Sequence, residues 1–113
     1  MRILTAICAG ALSLALFAFG PAASADDATL VLELKDHKFN PADPTIPANT
    51  RVKVTVKNLD ATPAEFESQD FDAEKVVPGN SEITVNIGPL DPGSYDFYDE
   101  YHQQETTTTL TVQ

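Results

Sequence analysis

Residues 93–102 read Gly-Ser-Tyr-Asp-Phe-Tyr-Asp-Glu-Tyr-His, and Leu110-Thr111-Val112 follows near the end of the chain. Tyr95 and Phe97 alternate with polar residues, which is typical of a strand with one buried face. The threonines at 106–109 favour an extended backbone because β-branched side chains suit strands. This part of the chain therefore predicts two strands joined by a polar loop that carries a histidine.

Three other segments alternate apolar and polar residues and predict further strands. Their apolar positions are Leu30, Leu32 and Leu34, then Val52, Val54 and Val56, then Ile83, Val85 and Ile87. Turn-forming residues lie between the segments, at 41–44, 47–49, 60–63, 78–80 and 91–93. Short strands at this spacing predict an all-β sandwich or barrel.

Residues 1–25 have the features of a secretory signal peptide. Arg2 precedes an uncharged apolar run, and Ala23-Ser24-Ala25 is a small-residue cleavage signature. We therefore expect cleavage after Ala25, a periplasmic location, one mature domain over residues 26–113, and no insertion of that domain into the membrane. The single Cys and the single Met, Cys8 and Met1, would leave with the signal. A mature chain without a thiol excludes a copper site of the thiolate type.

The chain is acidic, with 17 Asp and Glu residues, 7 Lys and Arg residues, and a formal net charge of −10. Nucleic acids and anionic membrane surfaces are poor partners because like charges repel. The charge either maintains solubility or attracts cations and basic partners, and composition does not choose between these roles. The sequence shows no nucleophile–base arrangement and no Gly-rich phosphate loop.

Several blocks resemble cupredoxins, which are small copper-binding β-sandwich proteins. Residues 93–102 resemble the family's ligand loop, Gly-x-Tyr-x-Phe-x-Cys-x-x-His, with Asp99 in the Cys position and His102 in the His position. Phe39-Asn40-Pro41 resembles the family's opening block. Asn49 stands where the family usually has Gly, a change that is tolerated because Asn accepts left-handed backbone angles.

The resemblance covers about residues 30–113 and implies a cupredoxin-like Greek-key β-sandwich of about seven or eight strands. The loops at 36–41, 58–68 and 98–102 are similar to those of exported cupredoxin-like proteins that accompany bacterial iron permeases. The cupredoxin domain of EfeO-type iron-uptake proteins is a more distant relative. The resemblance implies a periplasmic component that binds iron or copper and delivers it to a membrane iron permease, alongside other periplasmic iron-transport components.

His102 is the strongest single candidate for a metal ligand, because it stands in the position of a copper-binding histidine. Glu100 precedes it by two residues, and side chains two apart share one face of an extended segment. We therefore expect Glu100 and His102 to point to the same ion. Asp99 is expected on the opposite face if the strand stays regular, and it remains a candidate because ligand loops depart from regular geometry.

Glu65 and Glu67 repeat the same spacing around Phe66, which is expected to enter the core and leave both carboxylates on one face. The resemblance puts the family's first histidine ligand at or next to Ala64, which has no donor atom. Glu65 or Glu67 would then replace that ligand.

His37 belongs to the Asp-His-x-Phe-x-Pro block and is a candidate to complete a site with His102. Carboxylate oxygens suit iron and manganese, and imidazole adds affinity for iron, copper and zinc. Two other interpretations stay open. The first is a metal-free periplasmic adaptor whose acids form a solvated docking face. The second is an iron-oxidising subunit with a type-2-like copper site, which leaves open whether the protein is an enzyme.

Overall fold

The computed structural model describes residues 28–113, which form nine strands in two sheets. The strands are β1 Ala28–Lys35, β2 Lys38–Asn40, β3 Thr45–Ile46, β4 Val52–Asn58, β5 Ala64–Ser68, β6 Ala73–Val77, β7 Ser81–Ile87, β8 Gly93–Asp99 and β9 Thr108–Val112. The predicted all-β sandwich is confirmed. The strand count is slightly higher than expected, since two of the strands are only three and two residues long.

The first sheet has the order β2-β1-β4-β7. In it β1 runs parallel to β4, and β4 runs antiparallel to β7. The alternation in β4 is confirmed, because Val52, Val54 and Val56 are at most 1% exposed. In β7 only Ile87 is fully buried, since this strand lies at the edge of its sheet.

The second sheet has the order β3-β9-β8-β5-β6, with β8 antiparallel to both β9 and β5. Strand β6 was not predicted because Ala73–Val77 does not alternate, and the three residues before Val77 are exposed. Its antiparallel pairing with β5 nevertheless places it beside the predicted acidic positions.

Three phenylalanines from three strands form the aromatic part of the core. The ring centroid of Phe97 lies 5.0 Å from that of Phe39 and 5.5 Å from that of Phe66. Each of the three phenylalanines is close in sequence to a candidate site residue. His37 precedes Phe39 by two positions, Glu65 and Glu67 flank Phe66, and Asp99 follows Phe97 by two positions. Burial of this triad (Phe39, Phe66, Phe97) therefore fixes the backbone beneath the candidate site.

The connection between β8 and β9 differs from the sequence expectation. It contains a 3₁₀ helix, Glu100–His102, followed by a four-residue α-helix, α1, Gln103–Thr106. The extended backbone that was predicted from Thr106 therefore begins only at Thr108. The Thr106 hydroxyl donates to the His102 carbonyl at 2.8 Å and accepts from the Asp99 amide at 2.8 Å. These bonds favour a turn over the strand that β-branching alone predicts.

Asn49 has a φ angle of 53°, which confirms the left-handed backbone expected there. The predicted signal peptide, residues 1–25, lies outside the described residues, as do Asp26 and Asp27. Within residues 28–113, neither helix has the length and apolar character required to span a membrane.

Candidate metal site

Two histidines from segments distant in the sequence meet in the folded chain. The ring centroids of His37 and His102 are 4.0 Å apart, with the planes tilted by 30°. One ligand atom of each ring and one carboxylate oxygen of Asp99 lie within 4.8 Å of one another. We call these three residues the imidazole cluster. Both histidine side chains keep about a third of their surface exposed, at 35% and 32%, so an ion can reach them from solvent.

Asp99 lies on the same side as His102. It was expected on the opposite face only if the strand stayed regular, and the segment departs from strand geometry. The extended segment from which the pairing of Glu100 with His102 was predicted is absent, because residues 100–102 form a 3₁₀ helix rather than a strand. With three residues per turn, positions three apart are aligned, and Asp99 and His102 therefore share a face. Asp99 Oδ2 lies 3.1 Å from His102 Nδ1.

The Asp99 carboxylate is almost completely buried, with 1% of its side chain exposed. Its Oδ1 accepts the backbone N–H of Glu65 at 2.9 Å and that of Tyr101 at 3.0 Å. The second of these bonds caps the 3₁₀ helix. One carboxylate thus connects β5, the helical turn and the imidazole of His102.

His37 lies in the two-residue turn between β1 and β2. Asp36 and His37 both have positive φ angles, 51° and 57°, the geometry of a type I′ hairpin turn that favours Asn and Gly. The Asp60 carboxylate supports this turn by accepting the backbone N–H groups of Asp36 at 2.7 Å and His37 at 3.1 Å. A histidine held in a backbone conformation that it rarely adopts is a common feature of functional sites.

A second group of acids lies beside the imidazole cluster. Ligand oxygens of Glu65, Glu67 and Glu74 lie within 4.8 Å of one another, and we call these residues the glutamate cluster. Phe66 is 1% exposed, which confirms that it enters the core and leaves Glu65 and Glu67 on the opposite face. Glu74 is the register partner of Glu67 on β6. Like charges placed directly opposite in a sheet repel.

Two carboxyl groups of this cluster, those of Glu65 and Glu67, hold protons more tightly than isolated ones. A hydrogen bond with Glu100, together with desolvation and the nearby charges of Glu100, Glu74 and Glu65, raises the pKa of Glu67 to about 7. Desolvation and the charges of Glu74, Glu100 and Asp99 raise the pKa of Glu65. The Glu100 carboxyl group therefore lies close to those of Glu65 and Glu67.

Three residues that shape the site were not identified from the sequence: Asp60, Glu74 and Thr106. Asp60 follows a strand-ending Asn and lies in a turn, where an Asp is ordinarily an Asx-turn residue. Glu74 could be identified only once the pairing of β5 with β6 was known, because that pairing places it opposite Glu67. The Thr106 side chain is buried because residues 103–106 form a helical turn, and the sequence did not predict that turn.

The donor set fits a transition-metal ion. Two imidazoles with neighbouring carboxylates and no sulfur suit cupric copper and ferrous iron better than cuprous copper, which prefers softer ligands. With bonds of about 2.0–2.2 Å, two ligands on one ion are at most about 4.4 Å apart. The ligand atoms of the imidazole cluster lie within 4.8 Å of one another, which is close to that separation.

Solved structures of copper proteins share this fold. A purple cupredoxin from Nitrosopumilus maritimus has a TM-score of 0.57 at 20% identity, over 77% of this chain and 100% of that one. Auracyanin A, a blue copper protein from Chloroflexus aurantiacus, has a TM-score of 0.63 at 13% identity, over 76% and 98%. The metal-binding domain of the Cu(I)-exporting P-type ATPase CopA of Streptococcus pneumoniae D39, solved with Cu(I), has a TM-score of 0.66 at 12% identity, over 75% and 84%.

The low sequence identities to these three solved structures establish a likeness of fold alone. An uncharacterised protein of Rickettsia prowazekii (strain Madrid E) is 38% identical over 72 residues, which cover 64% of this chain and 58% of that protein. The family model of the cupredoxin-like domain matches residues 7–112. Since that match spans nearly the whole chain, the protein belongs to the cupredoxin-like domain family.

Proposed function

We propose that this protein binds one copper or iron ion through His37 and His102 and serves as the metal-binding component of a periplasmic iron uptake system. The observation that carries the metal-binding proposal is the convergence of the two imidazoles, 4.0 Å apart between ring centroids. One of these rings is oriented by a buried carboxylate, which is the arrangement found around metal-binding histidines.

Different residues of this chain have different roles in binding the ion. The imidazoles supply the two nitrogen ligands, and the Asp99 carboxylate lies 3.1 Å from one of them. When bound, a copper or iron ion supplies one-electron chemistry. Without a thiolate, the ion is held by harder donors than in a blue-copper site, and capture of the ion is favoured over rapid electron transfer.

The glutamate cluster assists capture through charge. Three close carboxylates and Glu100 form an anionic surface next to the imidazoles. Their mutual repulsion is relieved when a cation approaches, and a local negative potential raises the cation concentration near the site. Glu65 links the two groups, because its backbone N–H donates to Asp99.

The choice between copper and iron depends on supply. Sites with nitrogen and oxygen donors bind copper more tightly than ferrous iron, so loading with iron requires iron to be the more available ion. The fold neighbours named for copper support copper. The loop resemblance to proteins that accompany bacterial iron permeases supports iron, and it is also the basis for periplasmic delivery to a permease.

Calorimetric titration of the purified protein with ferrous iron under anaerobic conditions, and separately with cupric ion, tests this function. We expect saturation near one ion per chain, abolished in a His37→Ala/His102→Ala double variant whose circular dichroism spectrum matches the wild type. If neither ion binds the wild type, the metal-binding proposal fails. The acids would then be a docking face, and the metal-free adaptor would become the better interpretation.

A further inference from the structure

We propose that the glutamate cluster is a second cation site, which binds one calcium ion through its three carboxylates beside the hydroxyl group of Tyr98. Calcium prefers oxygen ligands, whereas imidazoles suit transition metals. This site takes a different ion and shares no residue with the imidazole cluster, so it goes beyond the proposed function.

The spacing of the carboxylate oxygens fits calcium. One oxygen from each of the three glutamates lies within 4.8 Å of the other two. Calcium–oxygen bonds are about 2.3–2.6 Å long, so ligands on opposite sides of the ion are about 4.6–5.2 Å apart. Separations of up to 4.8 Å lie within that span. Magnesium demands near-ideal octahedral geometry and keeps several waters, so a site of three carboxylates suits it less well.

The register of the second sheet brings these side chains together. Glu67 on β5 lies opposite Glu74 on β6 and opposite Tyr98 on β8, so the three residues form a row across neighbouring strands. Register partners in antiparallel strands project from the same face of the sheet. Glu65 precedes Glu67 by two residues and therefore shares that face. The oxygen atoms thus come from paired strands and need no loop to close around the ion.

No basic side chain of the described residues balances these negative charges. Both ion pairs within residues 28–113 join a His to an Asp, so no Lys or Arg nitrogen there lies within 4.0 Å of a carboxylate oxygen. Lys75 follows Glu74 directly, but its register partner is Phe66 on the opposite face. The Lys75 Nζ donates instead to the Thr84 carbonyl at 3.4 Å. An external cation is therefore needed to offset the repulsion among the carboxylates.

Tyr98 is an independent sign of a ligand at this place. It is only 7% exposed, although it lies beside Glu67 on the face opposite the core. Within residues 28–113 its hydroxyl forms no hydrogen bond, whereas the Tyr95 hydroxyl donates to a backbone carbonyl at 2.8 Å. Desolvation and the charges of Glu67 and Glu100 raise the pKa of Tyr98, so its hydroxyl is neutral and close to the carboxylates. A buried hydroxyl without a partner is costly, and a calcium ion or a water bound to it would supply that partner.

Calorimetric titration of the purified, chelator-treated protein with calcium chloride tests this site. A pH of about 8 keeps the carboxylates ionised, since the pKa of Glu67 is about 7. At about 0.15 M salt, we expect saturation near one ion per chain with a Kd of about 10⁻⁴–10⁻³ M, as in extracellular calcium modules. Magnesium should bind at least about tenfold more weakly. Absence of saturation, or equal affinities for the two ions, would overturn the inference, because a diffuse negative potential attracts both ions alike.

Three variants test the ligands themselves. Glu67→Gln/Glu74→Gln should weaken calcium binding at least about tenfold, because affinity depends on the number of charged ligands. Glu82→Gln is the matched control, since it makes the same change at an exposed position of the other sheet and should bind like the wild type. Tyr98→Phe removes only the hydroxyl, and affinity should fall about two- to tenfold, the usual contribution of one hydrogen bond. Unchanged affinity in the double variant or in Tyr98→Phe would contradict the site.

The variant His37→Ala/His102→Ala separates this site from the proposed function. We expect it to bind calcium as tightly as the wild type while it loses cupric binding. Loss of calcium binding in a folded form of this variant would place the ion at the imidazole cluster and overturn the inference. If the wild type binds calcium as expected but binds neither cupric nor ferrous ion, the proposed function fails and the calcium site stands.

Discussion

The imidazole cluster and the glutamate cluster lie side by side but are built in opposite ways. In the first, a buried carboxylate accepts two backbone N–H groups and lies 3.1 Å from the ring nitrogen of His102. In the second, carboxylates face one another, and the pKa of Glu67 is raised to about 7 by its hydrogen bond with Glu100, by desolvation and by neighbouring charge. The difference shows that orientation and charge are supplied by separate parts of the surface. We expect the first cluster to determine affinity and the second to tune it.

The largest effect is expected from removing the support that both clusters share. Phe66 is 1% exposed, and it lies between Glu65 and Glu67 and opposite Asp99 in the sheet register. We expect Phe66→Ala to lower the free energy of unfolding by about 3–5 kcal/mol, the usual cost of such a core truncation. Urea denaturation measures this loss.

Val31→Ala is a suitable control for that experiment, because Val31 is 46% exposed and surface changes typically alter stability by no more than about 0.5 kcal/mol. A loss below about 1 kcal/mol in Phe66→Ala would mean that the aromatic triad does not support the site.

Removing one imidazole should have the next largest effect. We expect His102→Ala to weaken cupric binding at least about tenfold. Even the loss of a residue that only hydrogen-bonds to a metal ligand lowers metal affinity about 10- to 100-fold. Competition with a chelator of known affinity measures the change. Gln104→Ala, an exposed neighbour on the same turn, serves as the control, and equal affinities for the two variants would rule out His102 as a ligand.

Neutralising the glutamate cluster should weaken binding less. In Glu65→Gln/Glu67→Gln we expect affinity to fall only about two- to fivefold at low salt, and the difference should shrink at 1 M salt, where the Debye length is only about 3 Å. The same titration at low and high salt measures both values. A loss as large as that of His102→Ala, and equal at both salt concentrations, would indicate direct coordination by these carboxylates and would remove the distinction between the clusters.

The smallest expected effect is a pH dependence of stability in the absence of metal. The folded protein binds a proton at Glu67 more tightly than the unfolded chain does, since the pKa is raised from 4.5 to about 7. The stabilisation from this group is therefore complete below pH 4.5 and is lost as the pH rises through about 7. We expect the melting temperature of the wild type to decline across this window relative to that of Glu67→Gln. Parallel melting curves for the two proteins across the window would show that Glu67 is not perturbed.

The sequence predicted the fold better than it predicted the site. Alternation in β1, β4 and β8 identified the strands because one face of each is buried, and Phe66 was correctly placed in the core. Strand β6 was missed because its exposed position leaves no alternating pattern. Its partner residue Glu74 was missed with it.

The error at Glu100 has a local cause. The sequence suggests a strand continuing through residues 99–102, but the Asp99 cap and the Thr106 hydroxyl stabilise a helical turn in its place. That change of period moves Glu100 to the glutamate cluster and brings Asp99 to His102. The pairing of His37 with His102 was predicted only as a hypothesis, because it joins two segments whose proximity depends on the whole sandwich.

The central claim is that two imidazoles hold the ion, and pulsed electron paramagnetic resonance of the protein loaded with one equivalent of cupric ion tests it most directly. We predict couplings from the remote nitrogens of two imidazoles, reduced to one in either His37→Ala or His102→Ala. A spectrum without imidazole coupling, or with oxygen ligands alone, would contradict the claim.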